Sequence, residues 1–197
     1  MKISAIDVGS NSVRLMVMAD GKTLYKQTDT TRLGEGLAAS GRLLPEAIER
    51  TARSVQLFAA AAELNGAGTP YVFATAAVRS AVNGGDFVKR VKQLTGIDVD
   101  VIGGEEEAAC GLAGALRGRD GGMVDLGGAS TEITVQKGGK KVYSKSVDIG
   151  TVRLYDLAGQ DRQALQKVID RKLAEYGAPD LSLSLIHISE PTRLALI

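Results

Sequence analysis

The residues of this sequence best suited to chemistry lie in two short segments, Asp7-Val8-Gly9-Ser10-Asn11-Ser12 and Asp125-Leu126-Gly127-Gly128-Ala129-Ser130. In each, an aspartate is followed two residues later by glycine and three residues after that by serine. A tight glycine-serine turn at the end of a buried strand points backbone N–H groups and hydroxyls outward, where they form a concave anion site. One such turn is an ordinary hairpin; two make a clamp. The candidate phosphate-binding residues are Gly9, Ser10, Asn11 and Ser12 in one turn and Gly127, Gly128, Ala129, Ser130 and Thr131 in the other.

Asp7 and Asp125 place carboxylates beside those anion sites and would repel a phosphate unless a cation stood between them. Mg²⁺ resolves the conflict, so Asp125 first, then Glu132 and Asp7, are the expected metal ligands. Glu132 has a competing reading as a solvent-facing strand carboxylate. Arg79 follows an apolar run ending at Thr75, where a guanidinium either forks onto phosphate oxygens or stays on the surface. Arg14 and Arg32 are weaker candidates, and the residues around Arg32 do not disclose its role. Glu105, Glu106 and Glu107 open a helix, whose N-terminus stabilises carboxylates in any case. Neighbours on a helix stand about 100° apart, so at most one or two of the three can face a cleft. The sole histidine, His187, lies in a tail unlike the rest, which leaves acid-base work to carboxylates. Cys110 reads as a small buried residue with no chemical role.

The elements that must hold these residues follow from periodicity. Strands are expected over 3–8, 12–18 and 22–28, with turns between them at Gly-Ser-Asn and Asp20-Gly21. Ile48, Ala52, Val55, Ala59 and Ala62 then mark one face of a helix opened by Pro45 and closed near Gly66. A strand over 71–75, a helix around 87–94, a strand over 98–102 and an alanine-rich helix from Glu105 complete an α/β unit. After Gly121-Gly122 the pattern restarts with strands over 123–126, 131–136 and 141–146 and a helix near 162–176. The repeat of aspartate, turn, strand and third strand reads as a duplication.

Composition sets the outer bounds. With 197 residues, 44% hydrophobic and 24% charged, the chain can bury a core, and a net charge of +1 gives no global pull toward nucleic acid or membrane. Anionic substrate must be caught by local groups. A single cysteine, no signal-like opening and no long apolar run point to a cytoplasmic protein.

Six ordered segments resemble the exopolyphosphatase and guanosine pentaphosphate phosphohydrolase (Ppx/GppA) family, a branch of the actin, chaperone and sugar-kinase superfamily. They are the first turn with its flanks (5–15), Arg32-Leu33-Gly34-Glu35-Gly36-Leu37, Ala74-Thr75-Ala76-Ala77-Val78-Arg79, Gly104-Glu105-Glu106-Glu107-Ala108, the second turn through Glu132, and Asp148-Ile149-Gly150-Thr151-Val152-Arg153-Leu154. The likeness covers about residues 1–157, with Ala129 standing where the family usually has a third glycine. It implies an α/β fold of the duplicated actin-like ATPase (ribonuclease H-like) type, with Glu107 as the base that activates water. The reaction implied is hydrolysis of the terminal phosphoanhydride of inorganic polyphosphate; the alternative within the family is the 5′ phosphate of guanosine pentaphosphate. A kinase or ATPase of the same superfamily is a rival, as is a phosphate-binding chain without turnover. The resemblance leaves room for a homodimer of the full-length protein.

Leu183-Ser184-Leu185-Ile186-His187-Ile188-Ser189-Glu190-Pro191-Thr192-Arg193 matches the translation of a transposase sequencing-library adapter and is read as foreign, the competing reading being a genuine strand followed by a loop. The expected organisation is a complete first domain over 1–120, a partial second domain over 121–180 and a non-native tail over 181–197. Strands at 123–146 would then carry an open edge, and the chain as written would aggregate and turn over nothing.

Overall fold

A computed structural model describes residues 1–177 and the backbone of 185–189; residues 178–184 and 190–197, most of the expected foreign tail, lie outside the described residues. Three strands open the chain: β1 (Lys2–Val8), β2 (Val13–Ala19) and β3 (Lys22–Asp29). Ile6, Val8, Val13, Leu15 and Val17 alternate inward and are at most 1% exposed, whereas β3 is polar and largely exposed at the sheet edge. Asp20 and Gly21 take positive φ (49° and 74°), as a tight hairpin requires.

A short α1 (Leu37–Ser40) leads to α2 (Pro45–Leu64), with proline in its first turn. The helix buries its expected face, Ile48, Ala52, Val55, Ala59 and Ala62, against the sheet. It carries the chain across to β4 (Tyr71–Ala74), which pairs parallel with β1. Next come α3 (Ala76–Ser80), α4 (Gly84–Thr95) and β5 (Val99–Val101), giving the sheet order β3-β2-β1-β4-β5. The main core lies between this sheet and α2 and α4, with Phe87 and Val91 fully buried.

Helix α5 (Gly104–Leu116) joins this unit to a second sheet made of β6 (Gly121–Leu126), β7 (Thr131–Lys137), β8 (Lys140–Val147) and β9 (Leu185–Ser189). Its order, β8-β7-β6-β9, repeats β3-β2-β1-β4, including two antiparallel pairs followed by a parallel one. The second helical region is richer than expected: α6 (Thr151–Ala158) precedes α7 (Arg162–Leu173) and a single 3₁₀ turn (Ala174–Tyr176). Asp161 caps α7 by accepting from the N–H groups of Gln163 (2.9 Å) and Ala164 (3.1 Å).

The expected open edge is not found, because β9 pairs along β6 in the place that β4 takes beside β1. Val147, Ile149 and Tyr176 form a small core beneath the second sheet, with the Tyr176 hydroxyl donating to Thr131 O at 2.7 Å. No described helix is long and apolar enough to cross a membrane.

Candidate active site

The two turns have one design. Gly9 N–H donates to Ser12 O at 3.0 Å, and Gly127 N–H donates to Ser130 O at 2.9 Å. A Cβ on Gly9 would lie 3.2 Å from Ser12 O, and one on Gly127 would lie 3.2 Å from Ser130 O. Neither glycine, nor Gly128, has positive φ. Glycine therefore serves these positions by leaving space against the serine carbonyls, not by a left-handed backbone. Ala129 likewise avoids the left-handed region, so alanine brings no backbone strain there.

Each turn is held from behind through its carbonyls. Arg32 N–H donates to Asn11 O and Gly34 N–H to Ser10 O, both at 2.8 Å. Behind the second turn, Thr151 N–H donates to Gly127 O (3.0 Å) and Val152 N–H to Gly128 O (2.8 Å). Arg153 adds its own N–H to Gly128 O (3.1 Å) and its Nε to Ala129 O (2.9 Å). A segment after the third strand thus fixes each turn, giving the Arg32 loop and the Gly150-Thr151-Val152-Arg153 segment a shared role that residue type alone concealed.

The turns meet across a small cavity of about 70 Å³, the scale of a few waters at about 30 Å³ each. A Cβ on Gly128 would come within 2.9 Å of Ser10 Cβ and 3.0 Å of Asn11 N, so the loops approach to contact. Gly9, Ser10, Asn11 and Ser12 line the cavity from one side, and Gly127, Gly128, Ala129 and Ser130 from the other. Asp7, Glu107, Asp125 and Glu132 add four carboxylates to its wall.

Burial and neighbouring charge act on Asp7, Glu107 and Glu132 in this cavity. Burial pushes Asp7 up to about 6, opposed by Arg14, whose Nη1 lies 4.0 Å away, and reinforced by the charge of Asp125. Burial also raises Glu107; Arg79 opposes it and Asp7 adds to it. Glu132 is raised first by burial, against hydrogen bonds from Ser146 (2.6 Å) and Ser130. It is 5% exposed, so the solvent-facing reading does not hold. This crowd of hard oxygen donors fits Mg²⁺, which keeps several waters and takes only one or two carboxylates from a protein. Among the described residues no group of three or more acidic, histidine or cysteine side chains forms a ready-made cage.

Other expected residues stand further back. Arg79 does not line the cavity; its Nη1 donates to Glu107 Oε2 (3.2 Å) and Ile102 O (2.8 Å). The Thr131 hydroxyl turns away to donate to Ile149 O. Arg14, the weaker candidate, does line the cavity, as do Thr75 and Ala76, which were not singled out. Thr75 hydrogen-bonds Glu107, and its place at the end of a strand beside β1 was the available signal. Cys110 is exposed, contrary to expectation, because its face of α5 looks away from the main core.

Paired hairpins meeting across one small cavity on a repeated sheet place the chain in the actin-like ATPase fold. The chain belongs to the Ppx/GppA phosphatase family, whose model matches residues 15–176. It is similar to an exopolyphosphatase from Cytophaga hutchinsonii, with 25% identity and a TM-score of 0.77 over 88% of this chain and 61% of that one. It is also similar to the Ppx/GppA family member of Aquifex aeolicus, with 31% identity and a TM-score of 0.65 over 87% of this chain and 58% of that one. The ethanolamine utilization protein EutJ from Carboxydothermus hydrogenoformans shares the fold alone, at 19% identity and a TM-score of 0.52 over 89% of this chain and 63% of that one. The chain thus spans about three fifths of the length of these solved structures.

Proposed function

We propose that this chain carries the catalytic clamp of an exopolyphosphatase, removing orthophosphate from the end of inorganic polyphosphate. The observation that carries the reading is the contact of the two turns around a cavity with room for one phosphoryl group, with Glu107 in its wall. N–H groups and hydroxyls of both turns surround the terminal phosphoryl oxygens, where charge develops during transfer. Glu107 takes a proton from a water as its oxygen bonds to the terminal phosphorus. The bond from that phosphorus to the bridging oxygen breaks, and the chain one phosphate shorter leaves with the electron pair. Asp125, with Glu132 or Asp7 beside it, would hold Mg²⁺, which supplies neutralisation of phosphate charge when bound.

The test measures orthophosphate release with Mg²⁺ from polyphosphate and from guanosine pentaphosphate at matched concentrations. Preferential release from polyphosphate supports the proposal. Preferential release from guanosine pentaphosphate transfers it to the nucleotide, and phosphoryl transfer from ATP to a sugar in place of hydrolysis removes it.

A further inference from the structure

Helix α5 and strand β6 enclose a second groove of about 430 Å³, whose charged lining is Arg14, Arg117, Arg119 and Asp125. Arg14 and Asp125 also line the turn cavity, so the two spaces adjoin. The turn cavity accommodates little more than one phosphoryl group, and the rest of a longer polyanion must leave it somewhere. Among the described residues neither Arg117 nor Arg119 has a carboxylate at ion-pair distance. The nearest acid in sequence, Asp120, is engaged instead by the N–H groups of Gly138 (2.8 Å) and Gly139 (3.2 Å) at the β7–β8 hairpin.

Two further features fit a built groove. Arg117 ends α5 with φ 49°, a left-handed conformation that glycine adopts without strain and arginine does not. Gly114 lies in the last turn of α5 and opens onto the groove, and a Cβ there would meet nothing within 4 Å. Packing does not require glycine at that position, where alanine would be the better helix former. Gly111 differs, since a Cβ there would come within 2.9 Å of the Met123 side chain.

We propose that this groove is the subsite for the third and later phosphates of the substrate, with Arg14, Arg117 and Arg119 as its cationic wall. The assignment rests on the phosphoanhydride reading above, and its ligand class is linear oligophosphate of three or more units. Arginine suits such a chain because its planar fork meets paired phosphate oxygens.

Calorimetric titration of the 197-residue chain with pyrophosphate, tripolyphosphate and long-chain polyphosphate, each with Mg²⁺, tests the assignment. The R117G/R119Q variant should bind pyrophosphate as the parent does, and bind the two longer ligands about 10-fold more weakly with a flatter salt dependence. Its melting temperature should hold or rise, because glycine relieves the left-handed strain at 117. Gly114→Leu, which leaves every charge in place and fills the groove, should produce the same length-selective loss. Equal losses at all lengths, or no loss at any, would overturn the subsite while leaving the phosphatase reading standing. Failure of the parent chain to bind even pyrophosphate would overturn both.

Discussion

Arg79 Nη1 lies 3.2 Å from Glu107 Oε2 while also donating to Ile102 O at 2.8 Å, so one guanidinium ties the proposed base to the end of the β5 strand. Burial holds Glu107 above the ordinary carboxylate range, and Arg79 is the strongest influence pulling it back down. A base works ionised, so activity should rise with pH through this raised value. Arg79→Met removes the downward pull, and the acid limb of the pH–rate profile should move to higher pH. The profile of kcat/KM for parent and variant checks this; an unmoved limb would separate Arg79 from the base.

Gly150 permits the close approach of α6 to the second turn. A Cβ there would lie 2.5 Å from the Gly128 carbonyl carbon and 2.6 Å from Ala129 backbone atoms. Gly150→Ala should destabilise the protein by about 1–3 kcal/mol or more, and it should weaken phosphate binding through loss of the carbonyl grip on Gly127 and Gly128. Thermal denaturation and phosphate titration measure the two effects. A variant that melts and binds like the parent would show that α6 does not hold the turn.

Asp125→Asn should weaken Mg²⁺ dependence and activity together, since a neutral amide is a poorer ligand for a hard cation. Titrating activity with Mg²⁺ reads this directly. An unchanged titration would move the metal to other carboxylates of the cavity.

The fold was legible where a residue's environment is set by local periodicity. Ile48, Ala52 and Val55 mark their helix at helical spacing, and the repeated aspartate-glycine-serine turns disclosed the duplication that the two sheet orders display. The turn residues and all four cavity carboxylates could also be named from spacing and family likeness. What stayed hidden depends on contacts between distant segments. No local signal shows that Gly150 must clear the second turn, that Arg79 pairs with Glu107, or that Arg14 faces the cavity. Cys110 was misplaced because the apolar character of α5 does not reveal which of its faces is covered, and the β6 edge because β9 falls within residues set aside as foreign.

The central claim, that the paired turns position a terminal phosphoanhydride for attack by water activated at Glu107, is tested most directly by orthophosphate release from polyphosphate with Mg²⁺. The assay compares this chain with a form extended to the length of the solved relatives, and each with its Glu107→Gln variant. The extended form should turn over, and Glu107→Gln should lower that rate by about 10²- to 10⁴-fold while leaving polyphosphate binding nearly intact. A near-normal rate in the variant would contradict the account.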